Sequence, residues 1–438
     1  VITARAFAGK HYAVLGLARS GLGTVEALLA SGAKVTAWDD NSEAREKLCS
    51  REGGSPGLDP RLRGDTEMDF GQFDALVLSP GIPLIRHPIV PRAREAGLEI
   101  IGDIELFARA RPELPPHKVV GITGTNGKST TTALVHHILK TAGMPSLMGG
   151  NIGLPILAQD PLPEGGVYVL ELSSYQLDLT RSLDCDVAVL LNVTPDHLDR
   201  YESFDSYRAS KFRLFEMQSR EHSAVYATDD TAVREFFMDL VGGAGRIARP
   251  ISGQPIEWAE QHEWPMLQGP HNAANVLAAE HVRVDLGIHI DTFFQALRTY
   301  PGLPHRMERI RERDGILFVN DSKATNPTAT APALAAFPAI RWILGGQAKS
   351  DNLDECAPYF SHVRKAYTIG EASHLFAALL EPHMAVTECG TLDVAVTAAA
   401  SETQRGDTVL LSPACASFDQ YRDFEARGDH FRALVEAL

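Results

Sequence analysis

The chain has 438 residues, 44% hydrophobic and 22% charged, with 36 Gly and 26 Pro, enough to bury several cores without staples and too ordinary in composition for a low-complexity protein. Lys and Arg number 41 against 56 Asp and Glu, and the formal charge of −15 argues against a general nucleic-acid binder. The five cysteines (Cys49, Cys185, Cys356, Cys389, Cys415) are scattered and form no CxxC, which excludes a disulfide scaffold or a Cys-based zinc site and suits a reducing cytoplasm.

His11 to Leu17 reads as a buried strand, Ser20 to Ser31 as a helix stopped by Gly32, Lys34 to Trp38 and Asp74 to Ser79 as further strands. Strand–helix alternation of this kind predicts a doubly wound parallel sheet. The turn Gly16-Leu-Ala-Arg-Ser-Gly21 is a GxGxxG pattern with Ala18 at the middle glycine, followed by Asp39 at a dinucleotide-binding distance. Ala18 hinders the close backbone approach that a pyrophosphate needs there. The stretch Tyr12 to Ala18 runs into Gly-rich sequence, and no apolar run approaches the ~18 residues of a membrane span, so neither a leader nor a membrane anchor is expected.

Arg111-Pro-Glu-Leu-Pro-Pro-His117 predicts a boundary, because its prolines cannot continue a helix. A second series follows, with strands expected at Lys118 to Thr123, Val167 to Leu172 and Val187 to Val193. Within Val119-Val-Gly-Ile-Thr-Gly-Thr-Asn-Gly-Lys-Ser-Thr-Thr-Thr132 an apolar strand enters a Gly-rich turn, then Lys128, a hydroxyl and a helix ending near Gly143. Such a turn cradles phosphates with backbone N–H groups, Lys128 reaches terminal phosphates and Ser129 can ligate Mg²⁺. The spacing departs from GxxxxGK[ST], since Ile122 stands where the first glycine would be. Glu171 and His197 end neighbouring strands, where a carboxylate and an imidazole can hold a metal beside bound phosphates. Lys211 falls in a helical stretch, Tyr207 to Phe215, and by local sequence is a solvated lysine. Asn272 and Asn275 share one face of a helix opening at His271, which suits capping by Asn272, a purine edge or a phosphate.

A third series starts near residue 303, with strands expected at Ile316 to Asn320, Arg341 to Gly345, Lys365 to Gly370 and Thr408 to Leu411. Three of them end in polar loops, Asp321-Ser-Lys323-Ala-Thr325, Gly345-Gly-Gln-Ala-Lys349 and Ser412 to Ser417. Together these make a crevice whose lysines favour anions. The fold class expected is α/β throughout, three consecutive domains with mostly parallel sheets: Rossmann-like 1–110, a central P-loop domain 111–302, and Rossmann-like 303–438.

Five motifs in order resemble the Mur ligases, ATP-dependent amide ligases of peptidoglycan precursor synthesis. They are Gly124-Thr-Asn-Gly-Lys-Ser-Thr-Thr131, Glu171-Leu-Ser-Ser-Tyr-Gln-Leu177, Asn192-Val-Thr-Pro-Asp-His-Leu-Asp-Arg200, His271-Asn-Ala-Ala-Asn275 and Asn320-Asp-Ser-Lys-Ala-Thr-Asn326. Ser79-Pro-Gly-Ile82, Gly150-Asn-Ile-Gly153 and Leu411-Ser-Pro-Ala-Cys-Ala-Ser-Phe-Asp-Gln420 are similar to the D-glutamate-adding members. The resemblance implies ligation of D-glutamate to UDP-N-acetylmuramoyl-L-alanine through an acyl phosphate, by a cytoplasmic monomer without nucleic-acid or membrane partners. ATP would meet Gly124, Thr125, Asn126, Gly127, Lys128, Ser129, Thr130, Asn272, Asn275, Arg306 and Asp321. Two Mg²⁺ would be served by Ser129, Glu171, His197 and a carbamylated Lys211, with Lys128, Lys211, His197 and Glu171 catalytic. Leu17, Ala18, Arg19, Asp39, Gly81, Asn151 and Gln176 would meet the UDP substrate. Lys323, Thr325, Lys349, Ser417 and Phe424 would line the glutamate pocket. The chain departs from the family pattern at Gln347 and at Asp40-Asn41. Three rivals stay open: another amino-acid-adding member, including an L-glutamate-specific one; a nicotinamide-dependent dehydrogenase; and a non-catalytic nucleotide-binding regulator.

Overall fold

The computed structural model describes residues 1–39, 58–59, 69–196, 200–228, 231–241, 247–251, 261–268 and 270–438. His197 and the Asp40-Asn41 pair lie outside them. The described chain forms two compact units, Val1–Tyr300 and Pro301–Leu438.

The first unit carries two sheets. One contains β1 (His11–Leu15), β2 (Lys34–Trp38), β3 (Leu58–Asp59), β4 (Ala75–Leu78) and β5 (Glu99–Ile101), ordered β3-β2-β1-β4-β5 and parallel throughout. Its helices are α1 (Arg19–Ala30), α2 (Ile89–Glu95) and α3 (Asp103–Ala110). Tyr12, Ala13, Val14 and Leu15 are all buried, as a continuous apolar strand covered on both faces must be. The strand order reverses between β1 and β4, so the loops after these two strands open the ligand crevice of this sheet.

The other sheet contains β6 (His117–Thr123), β7 (Ser146–Gly150), β8 (Gly166–Glu171), β9 (Val187–Leu190), β10 (Ser223–Ala227) and β11 (Ile247–Ile251), ordered β11-β10-β9-β6-β8-β7 and again all parallel. Here the helices are α4 (Lys128–Thr141), α5 (Ser174–Asp178), α6 (Phe204–Glu216), α7 (Thr231–Val241), α8 (Pro270–Asp285) and α9 (Ile290–Thr299). Its central strand β6 lies between β8 and β9, with Ile122 in register with Glu171 and Thr123 with Leu190. The carboxyl ends of the three expected strands therefore meet at one edge.

In the second unit β12 (Glu308–Arg313), β13 (Ile316–Asn320), β14 (Ile340–Gly345), β15 (Val363–Ile369), β16 (Ala385–Gly390) and β17 (Thr408–Leu411) are ordered β12-β13-β17-β14-β15-β16. Only β12 runs antiparallel. The helices are α10 (Pro327–Ala335), α11 (Ser373–Leu380), α12 (Leu392–Ser401) and α13 (Phe424–Ala437). The start of α10 is set by Asn326, whose side chain accepts the Ala329 N–H at 2.8 Å, and by Pro327, which fits a first helical position. Cys185, Cys356, Cys389 and Cys415 are free thiols, as the sequence predicted. Among the described residues no helix is long and apolar enough to cross a membrane.

Candidate active site

The turn after β6 is held from the neighbouring strand. Thr125 N–H donates to the Asn192 carbonyl at 3.0 Å and Asn126 N–H to the Asn192 side chain at 2.8 Å; the Asn192 amide donates back to the Asn126 carbonyl at 3.0 Å. The Thr125 hydroxyl donates to the Thr194 carbonyl at 3.1 Å and lies 3.1 Å from the Tyr207 hydroxyl. Gly127 closes the turn at φ +84°, and a Cβ there would stand 2.3 Å from Asn275 Oδ1, so glycine is required twice over. Asn275 accepts from the Thr131 hydroxyl at 3.1 Å and donates to Asn272 at 3.1 Å, and Asn272 donates to the Gln268 carbonyl at 3.0 Å. The paired amides thus brace the first turn of α4. The helix they sit on opens at Pro270, one residue before the expected start. Ser129 and Thr130 are buried in that first turn, with the positive end of the helix facing the bend.

Two lysines converge on this bend. Lys128 Nζ donates to the carbonyls of Gly124 and Thr125 at 2.9 and 2.8 Å, and Lys211 Nζ donates to the same Gly124 carbonyl at 2.9 Å. The expectation of a solvated Lys211 fails: it is 1% exposed, its ammonium 4.6 Å from the centre of the Tyr207 ring. Burial, and then the charge of Lys128, push its pKa well below the ordinary lysine range, against the opposing pull of Asp196 and Asp178.

Glu171 ends β8 and is 1% exposed. Its Oε1 accepts from Asn151 Nδ2 at 2.7 Å and its carbonyl from Asn151 N–H at 2.8 Å, while Oε2 is buried with no hydrogen-bond partner. An orphan carboxylate oxygen in this position fits a hard cation. Mg²⁺ usually takes one or two carboxylates and fills its remaining positions with phosphate oxygens and water. No group of three or more His, Cys, Asp or Glu arranged to hold a metal occurs among the described residues.

In the first sheet Leu17 N–H donates to Asp39 at 2.5 Å, so Asp39 fixes the turn after β1. A Cβ at Gly21 would meet the Gly16 carbonyl at 1.7 Å, which accounts for that glycine. Ala18 and Arg19 are exposed at the start of α1. Gly81 is exposed, and its carbonyl accepts from Arg200 at 3.2 Å. Beside it lies a cavity of about 420 Å³ whose lining includes Ile82, Leu84, Arg86, Arg94, Tyr175 and Arg200. Gln176 is 1% exposed and caps α5: its Oε1 accepts from the N–H and hydroxyl of Ser173, each at 3.1 Å.

The second unit brings its five predicted pocket residues to the ends of β13, β14 and β17. The Lys323 ammonium lies 5.1 Å from the Phe424 ring centre, Lys349 Nζ is 3.5 Å from the Thr325 hydroxyl, and Ser417 is buried, its carbonyl accepting from Tyr421 N–H at 2.8 Å. Gln347 exposes its side chain and pairs through its backbone with Ala416. Asp321 is buried, accepting from Ser412 Oγ at 2.8 Å and Met307 N–H at 3.1 Å. Burial raises its pKa to about 7, with the Ser412 and Met307 hydrogen bonds and nearby Arg306 opposing.

Comparison with known proteins agrees with this geometry. Three family models match in order: a Mur ligase MurD-like N-terminal domain at residues 10–102, a Mur ligase middle domain at 122–243 and a Mur ligase glutamate ligase domain at 305–415. The chain is 59% identical to the UDP-N-acetylmuramoylalanine–D-glutamate ligase of Novosphingobium aromaticivorans, over 100% of this chain and 97% of that one. This chain belongs to the Mur ligase family. It is also 55% identical to the enzyme of the same name from Sphingopyxis alaskensis, over the full length of both. Among solved structures the MurF ligase of Thermotoga maritima in complex with ADP matches with a TM-score of 0.62 at 17% identity, covering 100% of this chain and 97% of that one. The MurC ligase of the same organism gives 0.58 at 16%, covering 98% and 99%. The three-domain α/β Mur ligase fold is thereby established.

Sequence reading missed two groups of this Mur ligase. Asn192 was part of a quoted motif but carried no role, although it holds the whole bend. Arg427 had no signal at all: it is 1% exposed, and its guanidinium donates to Ser322 Oγ at 3.0 Å and to the carbonyls of Ser322, Cys415, Gly345 and Ala416 at 2.9 to 3.3 Å. It ties the three polar strand ends together without a carboxylate, and burial lowers its pKa to about 10.

Proposed function

We infer that this chain catalyses the ATP-dependent joining of D-glutamate to UDP-N-acetylmuramoyl-L-alanine, yielding UDP-N-acetylmuramoyl-L-alanyl-D-glutamate, ADP and phosphate. The observation that carries it is the convergence of Lys128, Lys211 and the glycine-closed bend at the head of α4, with the buried, half-satisfied Glu171 on the adjacent strand. Relatives at 59% and 55% identity bearing the D-glutamate ligase name support it.

A carboxylate is a poor electrophile, so the alanyl carboxylate oxygen first attacks the γ-phosphorus and ADP leaves. The glutamate amine then attacks the acyl phosphate carbonyl, and phosphate departs with the former carboxylate oxygen. Lys128 and the N–H groups of the bend offset the charge of the transferring group. Glu171 and Ser129 would hold Mg²⁺, which would supply further charge compensation at the phosphates. The Lys211 amine, when deprotonated, would add CO₂ through its nitrogen and lose a proton to solvent, and the resulting carbamate anion would offer the cation a further oxygen ligand. Lys323, Lys349, Thr325, Ser417 and Phe424 bind the two carboxylates and aliphatic stem of D-glutamate. Leu17, Ala18, Arg19, Asp39 and Gly81, with the adjoining cavity, take the nucleotide sugar. Holding three reactants in line is chiefly a positioning task, worth up to ~7–11 kcal/mol. In this reading the domains are 1–110, 111–302 and 303–438, and the enzyme works as a cytoplasmic monomer.

The test supplies ATP, Mg²⁺ and UDP-N-acetylmuramoyl-L-alanine with either D- or L-glutamate and weighs the product by mass spectrometry. Ligation is expected with D-glutamate alone. Ligation of L-glutamate at a comparable rate would overturn the assignment of the amino acid.

A further inference from the structure

The ladder between β6 and β9 continues past the ends of both strands. Leu191 N–H donates to the Thr123 carbonyl at 3.0 Å, and Thr125 N–H to the Asn192 carbonyl at 3.0 Å. A side chain makes the next rung. Asn126 N–H donates to Asn192 Oδ1 at 2.8 Å and Asn192 Nδ2 to the Asn126 carbonyl at 3.0 Å, so the Asn192 amide stands in for a peptide group. A primary amide suits this place because it carries a donor and an acceptor on separate atoms of one plane. Gly124 permits the approach: a Cβ there would stand 3.1 Å from Leu191 Cβ and 3.3 Å from the backbone N and O of Asn192.

These bonds bear on the two lysines, because a peptide group is planar and trans, with its N–H and C=O directed to opposite sides. The peptide joining Thr125 to Asn126 gives its N–H to Asn192 Oδ1, and its carbonyl accepts from Lys128 Nζ at 2.8 Å. The peptide joining Gly124 to Thr125 gives its N–H to the Asn192 carbonyl, and its own carbonyl accepts from Lys128 and Lys211, each at 2.9 Å. Both carbonyls that hold the Lys128 ammonium are therefore held on their far side by Asn192, one by its main chain and one by its side chain. Removing the amide leaves the Gly124 carbonyl aimed but lets the Thr125–Asn126 peptide turn. The ammonium then keeps one anchor and loses the direction set by the other.

We propose that Asn192 is a positioning residue for Lys128, acting through the Thr125–Asn126 peptide group. The proposal rests on the reading of Lys128 as the cation at the transferring phosphate, where a charge helps only as far as it is already aimed.

The experiment is a double-mutant cycle on the intact chain, reading kcat for product formation at saturating ATP, Mg²⁺, D-glutamate and UDP-N-acetylmuramoyl-L-alanine. Asn192→Ala should lower kcat about tenfold, within the ~100-fold that a 1 Å misplacement can cost. In a Lys128→Ala background the same substitution should cost less than about twofold, because the group it positions is gone. A role confined to holding the fold would cost the same factor in both backgrounds. The Asn126 N–H lies at an exposed rung where water can replace the amide, and the main-chain bond from Thr125 to Asn192 remains, so the variant should fold. Asn192→Ser, whose single hydroxyl cannot bridge both groups, carries the same cycle should the alanine variant not fold. Unchanged kcat on losing the amide, or equal losses with and without Lys128, overturns the proposal. Lys128→Ala alone separates the two readings. If it keeps near-normal turnover, the phosphate reading of Lys128 itself fails. If it loses turnover while the cycle is additive, only the positioning role fails.

Discussion

The carboxyl ends of the second and third sheets both gather three polar loops, but by different means. At the second sheet the loops hold each other: the bend after β6 is bonded to Asn192 after β9, and Glu171 after β8 to the nearby Asn151. At the third sheet one guanidinium from α13, Arg427, reaches carbonyls beyond β13, β14 and β17. The first design puts binding groups in the scaffold itself, so scaffold and chemistry fail together. The second separates them: Arg427 shapes the loops, while Lys323, Lys349 and Thr325 are the proposed ligand contacts.

Substitutions can break this comparison, and the largest effects belong to the second sheet. Lys128→Ala should lower kcat ~100–1000-fold, the scale of losing one preorganised electrostatic donor. Lys211→Ala should do at least as much, with partial return of phosphate release on adding acetate if a carbamate is the working form. Both should also lower the urea midpoint, because each ammonium is bonded to the Gly124 carbonyl of the bend itself.

Arg427→Ala should show the converse. It removes one donor from each of five buried acceptors and leaves a cavity, costing about 3–5 kcal/mol of stability. Hydrogen exchange should locate that loss in residues 301–438, with the protection of residues 1–300 retained. Retained exchange protection around Gly345 and Cys415 would erase the contrast.

The smallest effect sharpens the third-sheet side. Asp321 has its pKa raised to about 7 by burial, so the folded chain holds that proton more tightly than the unfolded one. The stability it lends is present below about pH 4 and lost as pH climbs toward 7, ~2–4 kcal/mol in all. Asp321→Asn should flatten that slope in urea titrations of the ligand-free protein; an unchanged slope would contradict its burial as a carboxylic acid.

The same contrast explains what the sequence revealed. The strands at Lys34 to Trp38, Ile316 to Asn320 and Thr408 to Leu411 were legible to the residue, since short, mostly apolar runs bounded by polar turns mark strands covered on both faces. Edge strands β7, β11, β12 and β16, mixed in polarity, were not. The phosphate bend was legible because its glycines, lysine and hydroxyl are contiguous. The burial of Lys211 was not, because it depends on Gly124 and Tyr207 packing around it. Arg427 was invisible for the same reason: its partners lie as far as 105 residues away in sequence.

The most direct test follows a single oxygen. UDP-N-acetylmuramoyl-L-alanine labelled with ¹⁸O in the alanyl carboxylate is turned over with ATP, Mg²⁺ and D-glutamate, and the released phosphate is weighed. Transfer of that carboxylate to the γ-phosphorus at the Lys128 bend predicts one ¹⁸O atom in the phosphate for each product formed. Unlabelled phosphate accompanying labelled product would contradict it.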